Sequence, residues 1–301
     1  MSKSYFEDFK GKSDEWLYQH FCSLLVKYDG NIVSPELPYN QRVEGITHDY
    51  WNAYAYGDEI KFVYVKIGTI NRKKSLSVDK KTVPKMGLST NEKAKRFSQS
   101  ISRARNRVFE LAMCNEFRYF CTFTQDKEKR DRFDLKAFRK DFAQMVRNFN
   151  RKRPADKKIK YLLIPETHQD GAWHMHGLLQ GLTVEDLREF DLNEKIPKRI
   201  KNTIKNGQKV YDWTTYRRKF GYFTCTEIKD STACAKYITK YITKALDGKH
   251  FEESTHLYFA SQGLKGREEI VRNCFEPCPV DEWDYENEYV KIKTLKNKIQ
   301  N

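Results

Sequence analysis

Residues 161–181, YLLIPETHQDGAWHMHGLLQG, constrain the fold more than any other stretch of the chain. Two apolar runs of strand length flank Asp170-Gly171, a turn pair that folds the second run back alongside the first. In the second run His174 and His176 are separated by a single residue. Side chains alternate along a strand, so both imidazoles project from one face. Glu166 lies on the first run and completes a cluster of two nitrogens and one oxygen. Such a set suits a divalent metal that keeps positions open for a substrate. The plainer alternative is a pair of partly exposed strand histidines with no ligand. No thiolate joins the set, and a site facing phosphate oxygens favours Mg2+ or Mn2+ over zinc. His168 shares the face of Glu166, as a further ligand or as a surface histidine.

Charge narrows what such a site acts on. Lys and Arg number 56 against 41 Asp and Glu, a net charge of +15 over 301 residues. A surplus of that size points to a polyanion, most often nucleic acid, or else to a merely soluble basic protein. With 39% hydrophobic and 14% aromatic residues the chain has material for a real core in one large or two modest domains. Seven cysteines stand without paired CxxC spacing, which indicates free thiols in a reducing compartment. No apolar run reaches the roughly 18–20 residues of a membrane span, and the N-terminus lacks a signal-peptide core. The expectation is a soluble, cytoplasmic protein with no membrane partner.

Periodicity places the other elements. Residues 13–28 space Trp16, Phe21, Leu24 and Leu25 as one helical face, ending at Asp29-Gly30. A turn-rich segment follows, and then EIKFVYVKIGTI and SLSVDKKTV resemble a hairpin around Asn71-Arg72-Lys73. Residues 89–113 form a second helix with Phe97, Ile101, Val108 and Ala112 inward. Its cations, Lys93, Lys95, Arg96, Arg103, Arg105 and Arg107, are either a solvated face or a DNA-backbone contact. FRYFCTFTQ is a strand in which Thr122 and Thr124 share a face, near the site or in a cross-strand structural role. Residues 131–150 make an amphipathic helix with Leu135, Phe138, Phe142, Met145, Val146 and Phe149 inward. TVEDLREF is expected as a short helix and 191–219 as a basic insertion or surface loop, with charged sequence after Pro279. A strand at GYFTCTEI, a helix over 231–246 and a last strand near 257–260 complete an α+β fold, a central antiparallel sheet flanked by helices, with an α/β N-terminal extension.

The helix AKYITKYITKAL carries the second constellation. Tyr237 and Tyr241 are four apart and so project from one face, while Lys236, Lys240 and Lys244 form a parallel ladder. A helix that buries Tyr and Ile and leaves its lysines in water accounts for the same pattern. A free tyrosine, with a pKa of about 10, is a poor nucleophile at neutral pH. Lysines and a metal-bound phosphate favour the phenolate and neutralise charge as a phosphorane forms.

Glu166 with His174-Met175-His176, followed by Tyr237 and Tyr241, resembles the HUH endonuclease superfamily, and within it the rolling-circle replication initiators of small single-stranded DNA phages and plasmids. FRYFCTFTQDKEKRDRFDL resembles the family's first motif, PETHQDGAWHMHGLL its second and KYITKYITK its third, in the family's order over about residues 115–260. The resemblance implies a ferredoxin/RRM-like nuclease core at 115–262, with 1–114 as an accessory region and 263–301 as a C-terminal extension. It implies that Glu166, His174 and His176 bind Mg2+ or Mn2+ and that a tyrosine attacks the phosphodiester. The products are a 5′-phosphotyrosine and a free 3′-hydroxyl, and the second tyrosine serves termination. Lys240 is the lysine chosen to position the phosphate. Lys236, Lys244, Arg96, Arg103 and Arg107 are further candidates for DNA contact.

The implied partners are a single-stranded DNA origin, in a hairpin where the origin forms one, with a host helicase and DNA polymerase. No Gly-x-x-x-x-Gly-Lys-Ser/Thr loop is present, so unwinding falls to a partner. A single-strand transposase shares the motif order but typically has one tyrosine and a smaller chain, and a relaxase carries its tyrosines before the histidines. A non-enzymatic nucleic-acid-binding protein fits the charge but leaves the Glu/His cluster without a purpose.

Overall fold

A computed structural model describes residues 6–26, 48–66, 90–244 and 256–296, and the chain divides into two compact units. One unit joins residues 1–87 to 266–301, and the other is 88–265. Both are mixed α and β, each built on an antiparallel sheet. These limits differ from the expected boundary at 114/115. The helix ending at Met113 belongs with the sheet that follows it, and the C-terminal segment belongs with the N-terminal one.

The first unit sets helix α1, Asp14–Val26, on a five-stranded sheet. Its strands are β1 (Tyr50–Tyr56), β2 (Glu59–Val65), β10 (Glu268–Cys274), β11 (Tyr285–Glu286) and β12 (Val290–Lys296), in the order β10-β1-β2-β12-β11. Leu17 and Phe21 of α1 meet Trp51, Phe62, Val271 and Leu295 of the sheet in one apolar core. EIKFVYV is a strand as expected, but among the described residues it pairs with β1 and β12. The hairpin expected around residues 71–73, like the helix stop at 29–30, lies outside the described residues. The C-terminal tail, expected as charged and low in apolar content, supplies strands β11 and β12. Its polarity hides them because β12 buries Lys293 beside Leu295, with the ammonium 3.0 Å from Asp14 at the start of α1.

The second unit is organised by a seven-stranded sheet. It comprises β3 (Tyr119–Gln125), β4 (Lys160–Thr167), β5 (Trp173–Gln180), β6 (Leu187–Glu189), β7 (Tyr211–Trp213), β8 (Gly221–Glu227) and β9 (Phe259–Ala260), ordered β6-β7-β8-β3-β5-β4-β9. Helix α3, Leu135–Asn150, is capped by Asp134, whose side chain accepts from the Ala137 amide. It buries Phe138, Phe142, Met145 and Val146 against Tyr119, Cys121, Phe123, Met175 and Phe223 of the sheet. Helices α2 (Thr90–Met113) and α6 (Ser231–Lys244) pack on each other, and both contact β4.

Two expectations between residues 183 and 219 are corrected. TVEDLREF is a single 3-10 turn, Val184–Asp186, closed by a capping box between Thr183 and Asp186, and the chain then enters edge strand β6. Residues 191–219 form no plain loop: they hold α4 (Lys198–Lys205), β7 and α5 (Thr214–Lys219). Trp213 and Tyr216 are fully buried in the core, against Phe149 and Phe223 among others. A few large rings diluted among many cations left the average composition polar, although those rings decide where the segment packs.

Candidate active site

The β4–β5 hairpin closes over Asp170-Gly171. Gly171 adopts φ 82, a left-handed backbone that glycine reaches at little cost, and the Asp170 carboxylate accepts from the Ala172 amide at 3.0 Å. Glu166 then falls directly opposite His174, and Ile164 opposite His176. Pro165 is tolerated because β9 pairs with β4 only at Leu162 and Leu163, so its missing donor breaks no ladder there. Antiparallel pairing with β3 sets Thr122 opposite His176 and Thr124 opposite His174. One face of three adjacent strands therefore collects the carboxylate, both imidazoles and two hydroxyls.

Side-chain donors of Glu166, His174 and His176 all lie within 4.8 Å of one another, and among the described residues this is the one such group found. Both Nε2 atoms approach the same carboxylate oxygen, at 3.1 Å from His174 and 2.8 Å from His176. Burial pushes the Glu166 carboxyl up, but hydrogen bonds from the two imidazoles outweigh it and hold the group well below the usual carboxylate range. Burial lowers the His176 imidazole, with Glu166 pulling the other way. An ionised carboxylate and a neutral imidazole are the forms in which these side chains ligate a metal. The donor set thus fits a divalent cation, though it does not by itself choose which one.

Thr122 Oγ1 lies 3.2 Å from His176 Nδ1, on the side away from the carboxylate. That contact orients the ring and leaves Nε2 to face Glu166, the arrangement by which outer partners fix a ligating histidine. Of the two sequence readings of Thr122, the structure supports the place beside the site. His168 is exposed, and its ring meets that of His174 at 4.0 Å, but it is not among the converging donors.

Helix α6 brings its tyrosines to the same place. The Tyr241 ring stacks on His176 with centroids 4.1 Å apart and is only 5% exposed, while Tyr237 is 44% exposed. Their hydroxyls are 2.9 Å apart, and the Phe120 ring lies beside both. Burial, then the hydrogen bond with Tyr237, raises the Tyr241 phenol above its ordinary value. Lys236 and Lys240 are exposed on the same helix, and the Lys244 side chain lies outside the described residues.

The remaining cationic candidates are on α2, whose Ala104, Val108, Leu111 and Ala112 are buried. Arg96 and Arg103 are exposed, Arg107 is exposed and paired with Glu110, and the side chains of Lys93 and Lys95 lie outside the described residues. No contact brings any of these to the Glu/His cluster. Arg199 of α4 was not singled out in the sequence, yet its charge is felt at both His176 and Tyr241. Only the basic run PKRIKNTIK marks it, and nothing in that run specifies which cation turns inward.

No helix among the described residues is long and apolar enough to cross a membrane. No curated protein and no solved structure matches the chain. Residues 118–246, somewhat under half of the chain, match the model of a family described as replication-associated protein ORF2/gene II protein. That span runs from the start of β3 through the last described turn of α6, so it takes in Thr122, the Glu/His cluster and both tyrosines, and it supports a part for this chain in initiating replication.

Proposed function

We propose that the protein is a rolling-circle replication initiator of the HUH type, nicking and rejoining single-stranded origin DNA through a tyrosine. The observation that carries this reading is the Tyr241 ring lying against His176, which sets a pair of candidate nucleophiles beside a convergent metal-ligand set. Glu166, His174 and His176 hold Mg2+ or Mn2+, which when bound polarises the scissile phosphate and offsets its charge. The phenolic oxygen of one tyrosine attacks phosphorus and its proton is lost. The bond from phosphorus to O3′ breaks, O3′ gains a proton, and the 5′ end stays on the protein as a phosphotyrosine. Attack by a 3′-hydroxyl reverses the step and rejoins the strand without ATP.

The contact between the Tyr237 and Tyr241 hydroxyls lets either phenol donate to the other as it ionises, and puts the second within reach for termination. Lys240, exposed beside this pair, neutralises phosphate charge. A host helicase opens the duplex and a host polymerase extends the 3′-hydroxyl, in the cytoplasm of the bacterial host.

Incubation with labelled single-stranded origin DNA and Mn2+ tests the reading. A covalent protein–DNA adduct with a free 3′-hydroxyl is expected, and the Tyr237→Phe/Tyr241→Phe double variant forms none. Cleavage without an adduct, or an undiminished adduct from the double variant, overturns the tyrosine mechanism.

A further inference from the structure

The polar face that holds the Glu/His cluster does not end at β3. It continues onto β8, where Tyr222 stands opposite Thr124 and Thr224 opposite Thr122. Residues 194–203, with the first turns of α4, stand over this part of the face and enclose a groove of about 360 Å3. Thr122 and Thr124 line one end of the groove and also face His176 and His174, so groove and cluster share a wall. A space at the small end of ligand sites, about 300–1,000 Å3, takes one nucleotide and no duplex.

Its charges are not equivalent. Arg188 is held by Glu194 at 2.6 Å and Arg217 by the buried Asp212, so each is already neutralised. Arg199, in contrast, forms no ion pair among the described residues. It sits in the first turn of α4, which opens Lys-Arg with no acidic residue and no side-chain cap. A helix start repels cations and attracts anions, so this turn is at odds with itself until an anion arrives. The groove also has an apolar surface to offer. Tyr222 is 59% exposed, unusually for a ring in a strand, and Arg217 lies against it at 5.6 Å.

We propose that this groove holds an unpaired nucleotide next to the scissile phosphate, with Arg199 contacting its phosphate and the Tyr222 ring stacking on its base. The inference rests on the nuclease reading for the word scissile, and it adds what that reading lacks, a reason for the site to take unpaired DNA. Hydroxyls from β3 and β8 supply hydrogen bonds along the groove floor, and stacking on a single ring is tolerant of sequence.

The test is binding of the full chain to a fluorescein-labelled oligothymidylate, by anisotropy, with EDTA present so that neither metal nor cleavage enters the readout. Loss of one stacking ring costs about 5- to 100-fold in affinity, so Tyr222→Ala is expected to weaken binding by that much while Tyr222→Phe does not. Arg199→Ala is expected to weaken it about tenfold and to flatten the salt dependence by about 0.7 in slope, with Arg199→Lys restoring most of both. Both side chains are exposed, so circular dichroism and melting should match the wild type. A duplex of the same length should bind all five proteins alike. The proposal is overturned if the wild type does not bind oligothymidylate, if folded Arg199→Ala and Tyr222→Ala bind it as well as the wild type, or if duplex binding falls in parallel. Failure of the nuclease reading shows separately, as a wild type that binds oligothymidylate but forms no adduct with origin DNA and Mn2+.

Discussion

The two faces of the seven-stranded sheet are made from the same strands and differ in every physical respect. Toward α3, β3 presents Tyr119, Cys121 and Phe123, β5 presents Met175 and Leu179, and β8 presents Phe223 and Cys225, all within one buried cluster. One residue along on each strand, the opposite face carries Thr122, Thr124, His174, His176, Tyr222 and Thr224. The apolar face is held by area removed from water and tolerates no gap. The polar face is held by specific pairs, the Thr122–His176 contact and the shared Glu166 oxygen among them. Since the period is two, a change on one face should leave the other almost untouched.

Glu166→Gln is the strongest way to break this separation. It keeps the shape and removes the charge, so cleavage of single-stranded origin DNA and Mn2+ binding, followed by electron paramagnetic resonance, should both be abolished while melting is little changed. Normal cleavage by this variant would end the metal assignment. The reciprocal experiment is Phe123→Ala, on a ring that packs at 5.0–5.3 Å from Phe142, Tyr216 and Phe223. Emptying such a site costs about 3–5 kcal/mol, read by denaturant unfolding. Protein that remains folded should still bind Mn2+.

The same contrast explains what the sequence disclosed. A strict alternation of small polar and large apolar residues in FRYFCTFTQ and WHMHGLLQ displayed both faces at once, so strand β3, the β4–β5 hairpin and the Glu/His cluster were legible. So was α6, because Tyr237 and Tyr241 recur at helical spacing. Register was not legible: only the pairing of β3 with β5 brings Thr122 to His176, and alternation alone does not fix which rung meets which. Segments whose buried rings are few and widely spaced stayed hidden, as Trp213 and Tyr216 show. Arg199 is one cation of a basic run, and its role depends on how α4 lies over the sheet.

Gly177 shows the core face at its tightest, directly after His176. A Cβ there would lie 2.6 Å from the Leu162 carbonyl oxygen and 2.3 Å from Leu163 Cδ2. The backbone oxygen cannot swing aside as a side chain can, so Gly177→Ala should cost about 1–3 kcal/mol by overpacking. If strain stays on its own face, the folded variant binds Mn2+ with wild-type affinity. A large loss of affinity would instead show that backbone shifts cross the sheet. Thr122→Val probes the polar face with nearly constant volume. Removing the hydroxyl from His176 Nδ1 should weaken Mn2+ binding about 10- to 100-fold, the usual cost of losing an outer partner, and should lower melting much less than Phe123→Ala.

The smallest effect expected is on the pH dependence of stability, and it belongs to the polar face alone. Burial lowers the His176 imidazole below the ordinary value of about 6.5, so between that value and the lowered one the unfolded chain binds a proton that the folded chain refuses. Stability from this residue is complete above about pH 6.5 and is lost as pH falls through the lowered value. Melting of the metal-free protein should therefore fall on acidification through that window, and His176→Asn should flatten the fall. Phe123→Ala should shift the whole curve downward and leave its shape unchanged, because nothing on the apolar face exchanges a proton in that range. A curve whose shape changed with Phe123→Ala would mean that the two faces are coupled through the strand they share.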